Sequence, residues 1–204
     1  MRPIALGLLA ALVWGGAAQA QAPAGTPERI NGTIERFDGG ILTVRALDGR
    51  DLAIAMPEGV RIGAVADRKL SDIKPGDFVG SAAIKGTDGK LHAREVHIFP
   101  ESMRGTGEGH RPMPGPAEQT MTNAAVDGVV SAGAGGGSTL KLKYPGGEQA
   151  IEVAPDVRVV LMLPGDKTLL KPGAAVTVSA LKAADGALTA RIVQAEKDGV
   201  KPLP

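Results

Sequence analysis

Glu101, Met103, Glu108, His110, Met113 and Met121 fall in one short segment and have side chains that could ligate a metal. Three of the five methionines that follow Met1 fall in this one segment. Thioethers beside an imidazole suit Cu(I), and carboxylates beside an imidazole suit harder ions. The residues that would hold such an ion are Met103, Glu108, His110 and Met113. Their spacing matches no established ligand signature such as His-Glu-x-x-His. The same segment admits a structural reading, in which Arg104, Glu108, His110 and Arg111 hydrogen-bond and charge-pair across two folded units. Its Gly and Pro content fits an ordered strap with a few polar anchors, and the strap is the favoured reading. No resident cofactor is expected; a transition-metal ion such as copper is the alternative.

The other two histidines, His92 and His97, are five residues apart on one predicted strand. At strand rise they are roughly 16 Å apart, too far to share an ion. They read as exposed polar positions. Ser138 and Lys141 match Ser-x-x-Lys, but that motif needs a helix to place the lysine over the serine. At a strand's start the two would face opposite sides. The Gly133–Gly137 run, GAGGG, lacks the Lys-Ser/Thr of a phosphate loop and reads as a loose hairpin. Without a nucleophile or an acid–base pair in a suitable setting, a non-enzymatic protein is expected.

Whatever these residues do, they are positioned by β-structure. Leu42, Val44 and Ala46 alternate with Ile41, Thr43 and Arg45, and Leu52, Ile54 and Met56 alternate with Ala53 and Ala55. Period two between turn residues is the strand signature. Asp48-Gly49, Asp88-Gly89, Gly146-Gly147 and Asp185-Gly186 mark hairpin turns. Leu70–Asp77 holds room for one short helical turn before Pro75-Gly76 re-aims the chain into a strand near Phe78. The spacing of Leu91, Ala93, Val96 and Ile98 breaks alternation and predicts a bulge at Arg94 and Glu95.

The pattern is written twice. VRIGAVADRKLSDIKPGDFVGSAAIKGTDGKLHAREV, from Val60 to Val96, aligns without a gap on VRVVLMLPGDKTLLKPGAAVTVSALKAADGALTARIV, from Val157 to Val193. Upstream, Asn31-Gly32 is set against Asp127-Gly128. Five or six short strands in each copy predict an all-β chain of two tandem small barrels of the OB type. The expected divisions are a signal peptide at 1–20, a flexible N-terminus at 21–27 and a first barrel at 28–99. A Gly/Pro-rich strap at 100–124, a second barrel at 125–198 and a tail at 199–204 follow.

The leader is expected because Arg2 precedes a short apolar run, Ile4 to Val13, and Ala18-Gln19-Ala20 is a small-x-small cleavage site. A periplasmic or secreted protein follows. The chain carries no Cys, which excludes disulfides, thiolate metal sites and a Cys nucleophile. Its formal net charge of +1 becomes zero once Arg2 is removed, and its charges alternate in sign. That excludes an electrostatic footprint for nucleic acid, and the few aromatics supply no base-stacking platform. No later apolar run is long enough for a spanning helix. The expected partner is another periplasmic protein or a small ligand.

GTIERFDGGILTV, LSDIKPGDFV, DGKLHAREVHIFPE, MRGTGEGHRP, MTNA, LLKPGAAV and AEKDGVKP carry a resemblance spanning Glu28 to Pro202. On these segments the chain resembles a family of small exported bacterial proteins with tandem β-barrel modules of unknown function. Some members are catalogued as "metal ABC transporter permease". The resemblance implies two barrels and an association with metal import, and it brings no site residues. A permease would need several spanning helices, which this sequence lacks. Where the family reads GHRPW, this chain has His110-Arg111-Pro112-Met113, so an aromatic role does not carry over.

Overall fold

The computed structural model describes residues 25–113, 118–131 and 137–203. The expected leader, residues 1–20, and most of the GAGGG run lie outside the described residues. Thirteen strands form, with three short 3-10 turns and no α-helix among the described residues. The strands are β1 (Thr26–Asp38), β2 (Ile41–Ala46), β3 (Asp51–Ala55), β4 (Arg61–Arg68), β5 (Phe78–Lys85) and β6 (Leu91–Ile98). A short β7 (Gly109–Pro112) leads to β8 (Gln119–Ser131), β9 (Ser138–Tyr144) and β10 (Gly147–Val153). The last three are β11 (Arg158–Pro164), β12 (Ala175–Lys182) and β13 (Leu188–Ala195).

Local chemistry sets the turns. Asp48, Asp88 and Asp185 each accept a hydrogen bond from the backbone N–H two residues on, at 3.2, 3.0 and 2.9 Å. The glycine after each takes a positive φ, 88°, 77° and 88°, which only glycine adopts without strain. The expected helical turn forms at Leu70–Asp72, and β5 begins at Phe78 after Gly76 at φ 90°. The bulge falls where alternation broke: Ala82 opposes Glu95 and Ala83 opposes Ala93, leaving Arg94 extra.

Pairing closes two five-stranded rings. In the first, β1-β2-β3 continue through a parallel β3–β13 contact to β12 and back to β1. In the second, β8-β9-β10 continue through a parallel β10–β6 contact to β5 and back to β8. Each ring therefore takes three strands from one half of the chain and a hairpin from the other. Both expected barrel stretches, 28–99 and 125–198, contribute strands to both rings. Two strands outside the rings, β4 and β11, make the exchange. They pair antiparallel with each other, and each lies parallel to a ring strand, β4 with β13 and β11 with β6.

The two rings have separate aliphatic cores. Ile30, Ile34, Leu42, Val44, Ile54, Val178 and Val193 fill the first, and Val79, Val96, Leu140, Leu142, Ile151 and Val153 fill the second. A third cluster, Val65, Val160, Met162 and Leu203, with Phe99, Met103 and Val200 against it, packs on the outer side of the β4–β11 pair.

The halves correspond by register. Asn31 opposes Thr177 in β1–β12, and Asn123 opposes Gly80 in β8–β5. Register shifts fall between Ile34 and Arg36 in β1, and between Val126 and Gly128 in β8. Asn31 therefore occupies the place of Asn123, and Glu35 that of Asp127, correcting the alignment of Asn31-Gly32 with Asp127-Gly128. The sequence offers no register for a stretch where only a bulge residue and an Asx are shared.

Two boundaries also move. β1 begins at Thr26, inside the expected flexible N-terminus. β8 begins at Gln119, so Gln119 to Ala124, expected in the strap, form a ring strand against β5. The tail is docked, with Pro202 and Leu203 buried.

Candidate functional site

The bulge at Arg94 decides which side chains of β6 face which way. Ala93 and Val96 point into the second ring's core. Glu95 and His97 point to the outer face, where a lone barrel would expose them. Here that face is buried. Glu95 is opposite Arg158 and His97 opposite Val160. The two are only 7% and 8% exposed, so the expectation that His97 is an exposed strand position is corrected. His92, on the same strand, is exposed, 3.0 Å from both oxygens of Asp88. Its imidazole holds the Asp88 carboxyl below the usual range.

His97 Nε2 stands 3.2 Å from Glu95 Oε1. The approach is out of line for a hydrogen bond, and the buried Nε2 has no hydrogen-bond partner. Burial pushes the Glu95 carboxyl up. The His97 imidazole, with Arg29 and Arg158 beyond it, outweighs burial and leaves it below the usual glutamate range. Both arginines also clasp the tail. Arg158 donates to the Lys201 carbonyl at 2.9 Å and to Asp67 at 2.9 Å, and Arg29 donates to the Leu203 carbonyl at 3.3 Å. Thr177 donates to the same Leu203 carbonyl at 2.8 Å.

A second buried polar atom lies one strand away. Asn123 Nδ2 donates to the Thr106 carbonyl at 2.9 Å, but its Oδ1 has no partner. The corresponding Asn31 Oδ1 lies 2.9 Å from the Thr177 hydroxyl, whose one proton is shared between it and the Leu203 carbonyl. Gly80 stands where Thr177 stands and has no hydroxyl to give. The Phe99 ring fills that space instead, and a Cβ on Gly80 would lie 2.9 Å from it and 2.7 Å from Asn123 Oδ1. The seam thus carries an acid, an imidazole and an amide under the strap and tail. Sequence reading missed Glu95 and Asn123. The signal available for Glu95 was that Ile192 stands in its place in the other copy, a charged residue in one half only.

The strap is ordered where described. Arg104 donates to Glu101 at 2.7 Å and to the Gly76 carbonyl at 2.9 Å, and lies 6.0 Å from the Phe78 ring centre. Its guanidinium holds the Glu101 carboxyl below the usual range. His110 Nδ1 is 2.8 Å from the Thr122 hydroxyl, and Arg111 donates to the Gly107 carbonyl at 2.6 Å. These anchors run within the strap or to the second ring, and none bridges the two rings. The four residues weighed as metal ligands have separate surroundings. Met103 packs on the third cluster, Met113 Sδ accepts from Gln119 at 3.1 Å, and His110 holds Thr122. Glu108 lines a shallow groove of about 410 Å³ with Asp127, Lys143, Tyr144 and Pro145. Among the described residues no three His, Asp or Glu side chains gather as a ligand set.

Ser138 and Lys141 face opposite sides of β9, Ser138 buried and Lys141 exposed, as strand geometry requires. Among the described residues no helix is long and apolar enough to cross a membrane. Comparison with protein-family models, curated proteins and solved structures finds no match.

Proposed function

We propose that this protein is an exported, non-enzymatic scaffold that presents two OB-like barrels at a fixed separation to a periplasmic partner, and that its halves descend from one duplicated module. The observation that carries the reading is the exchange of hairpins through β4 and β11. Two barrels on a flexible linker could reorient freely. Barrels that share strands cannot turn without breaking ladder hydrogen bonds. The repeated ring order, three strands of a meander, then the last, then the fourth, supports both the OB-like assignment and the duplication. The buried Glu95–His97 pair serves this reading as a seam element, held by Arg29 and Arg158.

The experiment is a distance measurement by pulsed electron spin resonance on the otherwise cysteine-free chain. Spin labels go at Lys90→Cys and Ala187→Cys, one loop on each ring. A single narrow distribution is expected, and a broad or multiple one would overturn the fixed geometry. Turnover on a broad hydrolase panel would overturn the non-enzymatic assignment.

A further inference from the structure

The two rings are alike except at one edge. In the second ring β8 is paired on both sides along its first half, with β5 on one side and β7 on the other. β7 is the strap's Gly109–Pro112, antiparallel, with Gly109 opposite Asn123 and Arg111 opposite Met121. In the first ring the corresponding stretch of β1 pairs with β12 alone over Glu28–Ile30, Leu47 reaches the Asn31 carbonyl, and β2 joins from Gly32 onward. Among the described residues nothing occupies the place of β7.

The backbone groups along this edge can be named. Leu47 N–H donates to the Asn31 carbonyl at 2.8 Å, so the polar groups of Asn31 face the β2 side. Backbone groups alternate sides along a strand, so the N–H and C=O of Arg29 face the same open edge. Beside it Leu47 is 79% exposed, the most exposed large apolar side chain among those described. In the second ring the corresponding Pro145 lines a groove with Glu108, the residue that precedes β7.

We propose that the Glu28–Asn31 edge of β1 is a strand-addition site for an extended peptide of a partner protein, seated as β7 is seated on β8. The side chains fix its chemistry. The residue that reaches Asn31 is small, because Leu47 N–H already holds the Asn31 carbonyl. The next faces Ile30, where the second ring has Thr122 under His110, and is apolar. The next lies beside Arg29 and is acidic, where Arg111 lies beside Met121. The residue before the small one covers Leu47 and is apolar. Main-chain bonds give such a site its affinity and alternate side chains its specificity.

This inference rests on the scaffold reading. The probe is a synthetic nonapeptide, the strap sequence Gly105–Met113 carrying Glu108→Leu, His110→Val and Arg111→Glu. It is titrated into the full chain by calorimetry, with amide exchange followed by NMR. Saturable binding with slowed exchange at Arg29 and Asn31 is expected. Arg29→Pro removes the outward N–H and leaves the ladder to β12 intact, and weakens binding at least roughly tenfold. Arg29→Ala keeps the edge and loses only the contact with the acidic residue, and weakens binding less than Arg29→Pro. No saturable binding, protection elsewhere, or unchanged affinity in folded Arg29→Pro would overturn the site. A narrow inter-ring distance with no peptide binding would leave the scaffold reading standing and remove this one.

Discussion

Val65 on β4 is the direct cross-strand partner of Met162 on β11. The gapless repeat alignment gives these two residues the same place in their respective halves. An approximate twofold axis therefore passes between them, and the third apolar cluster sits on it. The seam is where the two halves meet as like surfaces, with Glu95 and His97 opposite Arg158 and Val160, and Ile192 and Gln194 opposite Arg61 and Gly63.

That difference is testable as a pair. Glu95→Ile leaves His97 without its carboxylate, and His97→Gln removes the imidazole beside Glu95. The double variant restores the combination found at Ile192 and Gln194. Each single change is expected to cost about 3–5 kcal/mol, as for breaking a buried pair. The double variant should cost at least ~1 kcal/mol less than the sum. Urea unfolding of the four proteins checks this, and strict additivity would contradict the coupling.

Glu95 also sets an acid dependence. Its folded pKa lies below the unfolded value of about 4.3. The folded chain therefore holds that proton less tightly than the unfolded chain. The stabilisation is present above about pH 4.3 and is lost as pH falls through the lower folded value. Melting temperature against pH should fall more steeply below pH 4.3 in the parent than in Glu95→Gln. Parallel curves would remove Glu95 from the account.

Gly80 is fixed by crowding rather than by a turn. Gly80→Ala places a methyl 2.7 Å from Asn123 Oδ1 and 2.9 Å from the Phe99 ring. Overpacking of this kind costs about 1–3 kcal/mol. Phe99→Leu should relieve part of it in the double variant. Chemical denaturation of the three variants is the check, and a neutral Gly80→Ala would show that the ring is not held there.

The tail closes the seam. Leu203 is 3% exposed, and its carbonyl takes bonds from Arg29 and Thr177. Truncation after Val200 should cost about 2–3 kcal/mol for the lost burial. It should also open Glu95 and His97 to solvent, read as faster exchange at the His97 amide. An unchanged melting temperature would contradict docking.

Much of this was legible in the residues. Period-two runs, Asp-Gly turns and the broken alternation at Arg94 gave the strands, their hairpins and the bulge, because each depends on neighbours in sequence. What decided the site was not local. Alternation in β6 marks Glu95 and His97 as outward, and outward means solvated only if the barrel closes on its own strands. Which hairpin completes which ring is a choice between two nearly identical partners, since β5–β6 and β12–β13 carry the same pattern. The sequence therefore could not assign the exchange, and with it the burial of His97 was lost. The strap is a related case. Gly and Pro correctly marked irregular chain, but the start of β8 at Gln119 rests on pairing with β5, which no composition reveals.

The most direct test of the exchange uses the absence of cysteine. Thr26 on β1 is opposite Lys182 on β12. Had each half closed on itself, the repeat alignment would place it opposite Lys85 on β5. Thr26→Cys with Lys182→Cys is expected to form an intramolecular disulfide under mild oxidation, read by mass and by thiol titration. Thr26→Cys with Lys85→Cys should remain a dithiol. The reverse pattern, a bridge to position 85 and none to 182, would contradict the strand-exchanged architecture on which the account stands.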